Sequence, residues 1–143
     1  MKKTFYFIAI LISLSSFSKA QPSGTGFTYN FIRGYCIGLG YGIGQEWHSS
    51  LEQGQYFTKT FTFNRDVEYN IIALSEDLDV LDVDIQVYTD SGDIYAEDTS
   101  SDRFAEVNFT PSYTRTLTIK VKNYSSNTPN YASKVYFLIA YKE

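Results

Sequence analysis

The sequence predicts an all-β protein, an antiparallel sandwich of two sheets around one core. Three observations predict it. Apolar and polar residues alternate with period two in one segment after another, the pattern of strands with one buried face. Turn-forming clusters interrupt these segments every ~8–12 residues. No segment of the 143 residues carries a helical period.

The chain opens on Met1-Lys2-Lys3, an apolar run from Phe5 to Leu14, and Ser18-Lys19-Ala20. A basic start, a short apolar stretch and small residues at a cleavage point describe an export signal. Residues 1–20 are therefore expected to be a leader, and the protein to be exported to the periplasm or the medium. The run is too short to span a bilayer comfortably, and no second run approaches ~18 apolar residues. Without Lys2, Lys3 and Lys19, nine basic residues face sixteen acidic ones, a net charge of −7. That balance speaks against nucleic acid and against anionic membrane surfaces.

Residues 21–50 read as a lead-in and a glycine-rich segment. In RGYCIGLGYGIGQEW, Gly38, Gly40, Gly42 and Gly44 alternate with Leu39, Tyr41 and Ile43. Neither spacing of a phosphate-binding loop occurs. The expectation is an irregular strand or loop whose glycines allow a close approach. Cys36 is the sole cysteine, which rules out an internal disulfide and a cysteine-based zinc site and suits a buried thiol. Trp47-His48 reads as a packing aromatic beside a surface imidazole.

The strands follow from residue 51 to residue 143. In YFTKTFTF, Phe57, Phe61 and Phe63 oppose Thr58, Thr60 and Thr62. Asn64-Arg65-Asp66 then breaks the chain. VEYNIIALS, from Val67, is apolar on both faces near its middle and suits a central strand. In LDVDIQVY, Leu81, Val83, Ile85 and Val87 oppose Asp82, Asp84, Gln86 and Tyr88. Asp90-Ser91-Gly92-Asp93 is a hairpin turn. Asp93–Asp98 and Phe104–Phe109 are shorter strands. In TLTIKVK, Leu117, Ile119 and Val121 oppose Lys120 and Lys122. Val135, Phe137, Ile139 and Tyr141 form one face of the last strand.

Glu76 to Asp102 holds ten of the sixteen acidic residues and no Lys or Arg. A turn at Ser91-Gly92 pairs positions whose numbers sum to 183, so Gln86 faces Glu97 and Asp84 faces Thr99. Asp82, Asp84 and Glu97 then share the outward face, with neighbouring carboxylates ~6.5–7 Å apart along the strand. Three chemistries fit. Asp79, Asp82 and Asp84 could hold calcium, a hard cation that takes carboxylate oxygens. Two carboxylates could flank a sugar, as in a small hydrolase, but that needs a cleft and an acid with a raised pKa, and an outward strand face is expected to offer neither. Or the acids form a solvated face, met by Lys120, Lys122 or Arg103 from adjoining strands. Tyr88 and Tyr95 are expected side by side outward on the hairpin, and with Glu97 they form a candidate ligand-binding patch.

From Gln53 onward the chain resembles the bacterial pre-peptidase C-terminal family, PPC. The residues that carry the resemblance are Gly54, Phe57, Asp82, Asp84, Ile85, Val87, Tyr88, Gly92, Ala96, Asp98, Phe109, Pro111, Ile119 and Val121. It covers about Leu51 to Lys142. The resemblance implies a β-sandwich of jelly-roll type and a non-catalytic accessory role. Such domains trail exported peptidases, and related modules bind fibrous protein and use calcium. No peptidase accompanies the domain in this chain. The expected function is thus an exported, non-enzymatic binding module for an extracellular protein or polysaccharide. The alternative is a free-standing domain that docks on a separate peptidase or envelope complex.

Overall fold

The computed structural model describes residues 26–143; the expected leader at residues 1–20 and the start of the lead-in lie outside these. Among the described residues a helix, α1 (Phe27–Gly38), precedes eight strands: β1 (Gly42–Leu51), β2 (Tyr56–Phe63), β3 (Glu68–Ser75), β4 (Val80–Tyr88), β5 (Ile94–Asp98), β6 (Phe104–Phe109), β7 (Arg115–Ser126) and β8 (Ser133–Lys142). The strands form two four-stranded sheets, in the orders β1-β8-β3-β6 and β2-β7-β4-β5. Every pairing is antiparallel. Successive strands from β1 to β8 alternate between sheets except at the β4–β5 hairpin, which is the jelly-roll arrangement. No helix among the described residues is long and apolar enough to cross a membrane.

The alternation places the core where expected except at Leu81, which is 47 % exposed because a register shift between Val80 and Asp82 turns Val80 inward in its place. Val83, Ile85 and Val87 of β4 are fully buried, with Leu117, Ile119 and Val121 of β7 beside them. Ile71, Val135 and Phe137 meet them from the first sheet. Each such side chain contributes about 1.5–3 kcal/mol by leaving water. Cys36 is buried as anticipated, and burial pushes its thiol up to about 11.

Two expectations about residues 21–50 are corrected. First, Phe27–Gly38 is helical, not irregular. The reason lies in the first sheet, whose outer face carries Ile72, Leu74, Leu138 and Ala140. Those side chains need a cover, and Ile32 and Cys36, one helical turn apart, supply it. The helix begins after Gly26 with no side-chain cap of its own. The Glu76 carboxylate, fifty residues on, accepts from Gly26 N at 2.6 Å and Tyr29 N at 2.8 Å. Second, the sandwich starts at Gly42 and not at Leu51, because β1 pairs along its length with β8 and forms an edge of the first sheet. The glycines there admit a ring: a Cβ at Gly42 would lie 2.6 Å from the Tyr141 side chain.

The open side of the sandwich is closed by charge. Lys59 lies opposite Ile119, so it shares the inward face of edge strand β2 with Phe57 and Phe61. Its ammonium sits 3.5 Å from the ring centre of Trp47, on edge strand β1. An inward lysine on an edge strand discourages pairing with another chain.

Candidate functional site

The second sheet turns its other face to solvent. β4 contributes Asp82, Asp84 and Gln86, and β7 contributes Lys120, Lys122 and Tyr124. Asp84 stands directly opposite Lys122, and Gln86 opposite Lys120. The hairpin register is the expected one through its centre, with Ile85 facing Asp98, Gln86 facing Glu97 and Val87 facing Ala96. Thr99 and Ser101, just past β5, form the far wall. Together these residues enclose a shallow groove of about 410 Å³.

This face is drier than the alternation suggests. Asp82 and Asp84 are each only 8 % exposed. β4 is a central strand, flanked on both sides, and the segment after β5 folds back over its start: Val83 N donates to Asp102 O at 2.8 Å. That segment is braced by its own acids. Ser100 donates to Asp98 Oδ1 from its hydroxyl at 2.6 Å, and Phe104 N donates to Asp102 Oδ1 at 2.7 Å. The expectation of a fully solvated acidic face is therefore corrected at Asp82 and Asp84.

The lysines make no ion pair with these acids. Lys120 Nζ lies 4.5 Å over the Tyr56 ring, and Lys122 Nζ lies 4.8 Å over the Tyr124 ring. Among the described residues the ion pairs are Arg33–Glu46 and Arg65–Asp66, both elsewhere. Asp82 Oδ1 is buried without a hydrogen-bond partner in the protein. Burial, and then the charges of Asp84, Asp102 and Asp98, raise the Asp82 carboxyl to about 6. Burial also raises Asp84, against the pull of Lys122 and Lys120. The sequence led us to expect neither a cleft nor a raised acid on this face; the structure has a groove and a raised acid.

The remaining candidates divide. Asp79 sits in the turn before β4, where its amide donates to Asp77 Oδ1 at 3.0 Å and its carbonyl accepts from Asn127 N at 2.8 Å. It does not line the groove. Among the described residues, no three His, Cys, Asp or Glu side chains stand together as a metal-holding group. Tyr88 donates its hydroxyl to Gln86 Oε1 at 2.8 Å, and Glu97 accepts from Gln86 Nε2 at 3.3 Å, so these two flank the groove. Tyr95 does not join them. A bulge between Val87 and Tyr88 sets Tyr88 opposite Ile94. Tyr95 instead packs edge-on against Phe109 at 5.2 Å, beneath the Arg115 guanidinium. Thr99, Ser101 and Tyr124 were not anticipated as site residues. Tyr124 continues the outward set of Lys120 and Lys122, which was the available signal.

No protein-family model and no curated protein matches the chain. Solved structures do. The pre-peptidase C-terminal domain of collagenase from Bacillus anthracis matches at 17 % identity and TM-score 0.48, over 68 % of this chain and 89 % of that one. PliG, a periplasmic inhibitor of g-type lysozyme from Aeromonas hydrophila, matches at 5 % identity and TM-score 0.50, over 68 % and 85 %. A CBM4 structure matches at 12 % identity and TM-score 0.41, over 72 % and 79 %. The PPC domain named from the sequence is thus among the similar solved structures. At these identities the likeness is one of fold, the β-sandwich.

Proposed function

We propose that the protein is an exported, non-catalytic binding module that holds an extracellular protein or polysaccharide on the outer face of its second sheet. One observation carries the reading. Asp82 is nine-tenths buried on the floor of an open groove with one carboxylate oxygen unpartnered, while the two lysines of that groove rest on tyrosine rings. Asp82 and Asp84 line this groove without an ion-pair partner, so they offer a ligand's donor groups carboxylates that no lysine has taken. Gln86, Tyr88 and Glu97 extend the polar surface, and Tyr124 offers a ring at the rim. The test is an array of immobilised glycans and extracellular proteins, probed with the native protein and with Asp84→Asn and Tyr124→Ala. Binding lost in both variants supports the site; binding unchanged in both, or no binding at all, removes it.

A calcium ion at Asp82 and Asp84, with Asp79 close in sequence, is a second reading favoured by the crowding of Asp82, Asp84, Asp98 and Asp102. Specific binding must raise the melting midpoint as calcium rises. The same midpoint in millimolar calcium and in chelator removes it. The raised Asp82 also meets one requirement of a general acid. On the proposal made here, the Asp82→Asn and Asp84→Asn pair changes ligand binding and no turnover is found to lose.

A further inference from the structure

We infer that Glu106 holds a buried proton that joins it to Asn70 in a doubly hydrogen-bonded acid–amide pair, and that loss of this proton loosens α1 from the first sheet. The pair lies on the outer face of that sheet, away from the groove. Asn70 Nδ2 donates to Glu106 Oε1 at 2.6 Å. The other oxygen of each group, Asn70 Oδ1 and Glu106 Oε2, is buried with no hydrogen-bond partner in the protein. Asn70 as a whole is nine-tenths buried. An amide oxygen and an ionised carboxylate oxygen are both acceptors and cannot satisfy each other. One proton on Oε2 changes that: Oε2–H donates, Oδ1 accepts, and a single addition gives both oxygens a partner. Buried polar atoms are rarely left unpaired, and here the two that are belong to groups already bonded to each other.

The surroundings favour the neutral acid. Burial acts most strongly on Glu106 and raises its carboxyl, and the amides of Asn70 and Asn108, which pull the other way, are outweighed. Asp98, whose Oδ2 accepts from Glu106 N at 2.9 Å, adds to the rise. Toward the helix stand the Cys36 thiol and Tyr41, whose hydroxyl donates to Glu68 Oε1. Burial first, and then the Glu106 charge, raise that thiol to about 11. On β8, Lys142 spends its ammonium on Leu39 O at 3.1 Å. Position ties the proton to α1. Glu106 stands directly opposite Ile72, so the two share the outer face of the sheet. Ile72 packs with Ile32 and Cys36 of α1. Ile71, Ala73 and Val107, on the other face of the same strands, belong to the main core. The helix rests on the smaller cluster, and the layer that buries less opens first. An ionised Glu106 must reach water, and lifting α1 admits it. The folded protein binds this proton more tightly than the unfolded chain, so the hold on α1 is full in acid and is lost as pH rises through the folded midpoint.

The first measurement is carbon-13 NMR of the side-chain carboxyls of the native protein across pH, with the Glu106 signal assigned by its loss in Glu106→Gln. Its midpoint should lie above 4.5, the ordinary glutamate value. A midpoint at or below 4.5 overturns the proposal. The second is amide hydrogen exchange of the native protein and Glu106→Gln at pH 4.5 and at pH 7. Gln donates from Nε2 where the acid donates from Oε2, so the variant keeps both bonds at either pH. The native-to-variant ratio of exchange rates cancels the intrinsic effect of pH. In α1 that ratio should rise about tenfold between the two pH values, the effect of leaving a buried acceptor unpaired. In β2 and β7, on the second sheet, it should stay near one. Labelling of Cys36 by a disulfide reagent should follow the α1 ratio, since the thiol is buried beneath the helix. A flat ratio in α1, or a rise shared equally by β2 and β7, overturns the proposal even with a raised midpoint. A Glu106→Gln protein that does not fold shows that the neutral amide cannot replace the acid, and overturns it as well.

Discussion

Replacing Asp82 by Asn should stabilise this protein at neutral pH, the reverse of what loss of a buried charged residue ordinarily does. The carboxyl is raised from 3.8 to about 6, so it holds its proton more tightly folded than unfolded. Wherever the folded state binds more protons, stability falls as pH rises. The loss therefore begins near 3.8, grows up to about 6 and is complete by pH 7. Its size is about 3 kcal/mol, at about 1.4 kcal/mol per pH unit. Asn stands in for the protonated acid and keeps an oxygen to accept the Asp102 amide. Asp82→Asn should then gain about 2–3 kcal/mol at pH 7 and little at pH 4, about 10 °C in melting midpoint at the upper end. Asp84, Asp102 and Glu106 are also raised by burial and act in the same sense, so the native protein should be more stable at pH 5 than at pH 7. Urea unfolding of both proteins across that range, followed by circular dichroism, gives the stabilities directly. The reasoning fails if Asp82→Asn is destabilised at pH 7, or if the two proteins change with pH in parallel.

Three further perturbations probe the scaffold. Gly42→Ala places a Cβ against the Tyr141 ring and should cost about 1–3 kcal/mol in urea unfolding, a cost much reduced in a Tyr141→Ala background. Glu76→Ala removes the acceptor for two helix N-terminal amides and should cost about 0.5–2 kcal/mol. Hydrogen exchange should then quicken in α1 before it does in β3 or β8. Lys59→Val makes the open edge of β2 uniformly apolar on its inward side. Size-exclusion chromatography should show concentration-dependent association where the native protein shows less.

The sheets were legible because their physics is local. A strand with one buried face must alternate, and the inward sets of β2, β7 and β8, and of β4 from Val83 on, could be read one residue at a time; Leu81 escaped because a register shift before Asp82 breaks the parity. The helix was not, since the exposed Phe31, Ile37 and Leu39 stand among the buried Ile32 and Cys36 and blur the period those two set. What makes it a helix is a surface supplied by other strands. The hint lay in β3, where both faces are apolar: Ile71 and Ala73 serve the core, and Ile72 and Leu74 require a second layer. The hairpin divides in the same way. Its turn set the pairing of Gln86 with Glu97, but the bulge beyond Val87 is a backbone event without a residue signature, and it alone turned Tyr95 inward.

The site was half legible for a related reason. Strand parity settles which way Asp82 and Asp84 point, but it cannot say how much water reaches them. That depends on the return of residues 99–102 over the start of β4 and on where two lysine chains come to rest. A lysine opposite an aspartate on a sheet face predicts a pair. Here Asp84 faces Lys122 and no pair forms, because a tyrosine ring beside each lysine offers the ammonium another seat. The acids of an ordinary solvated face are thereby left as unpaired, partly desolvated acceptors, and that change in the candidate site rests on Tyr56 and Tyr124 as much as on the aspartates.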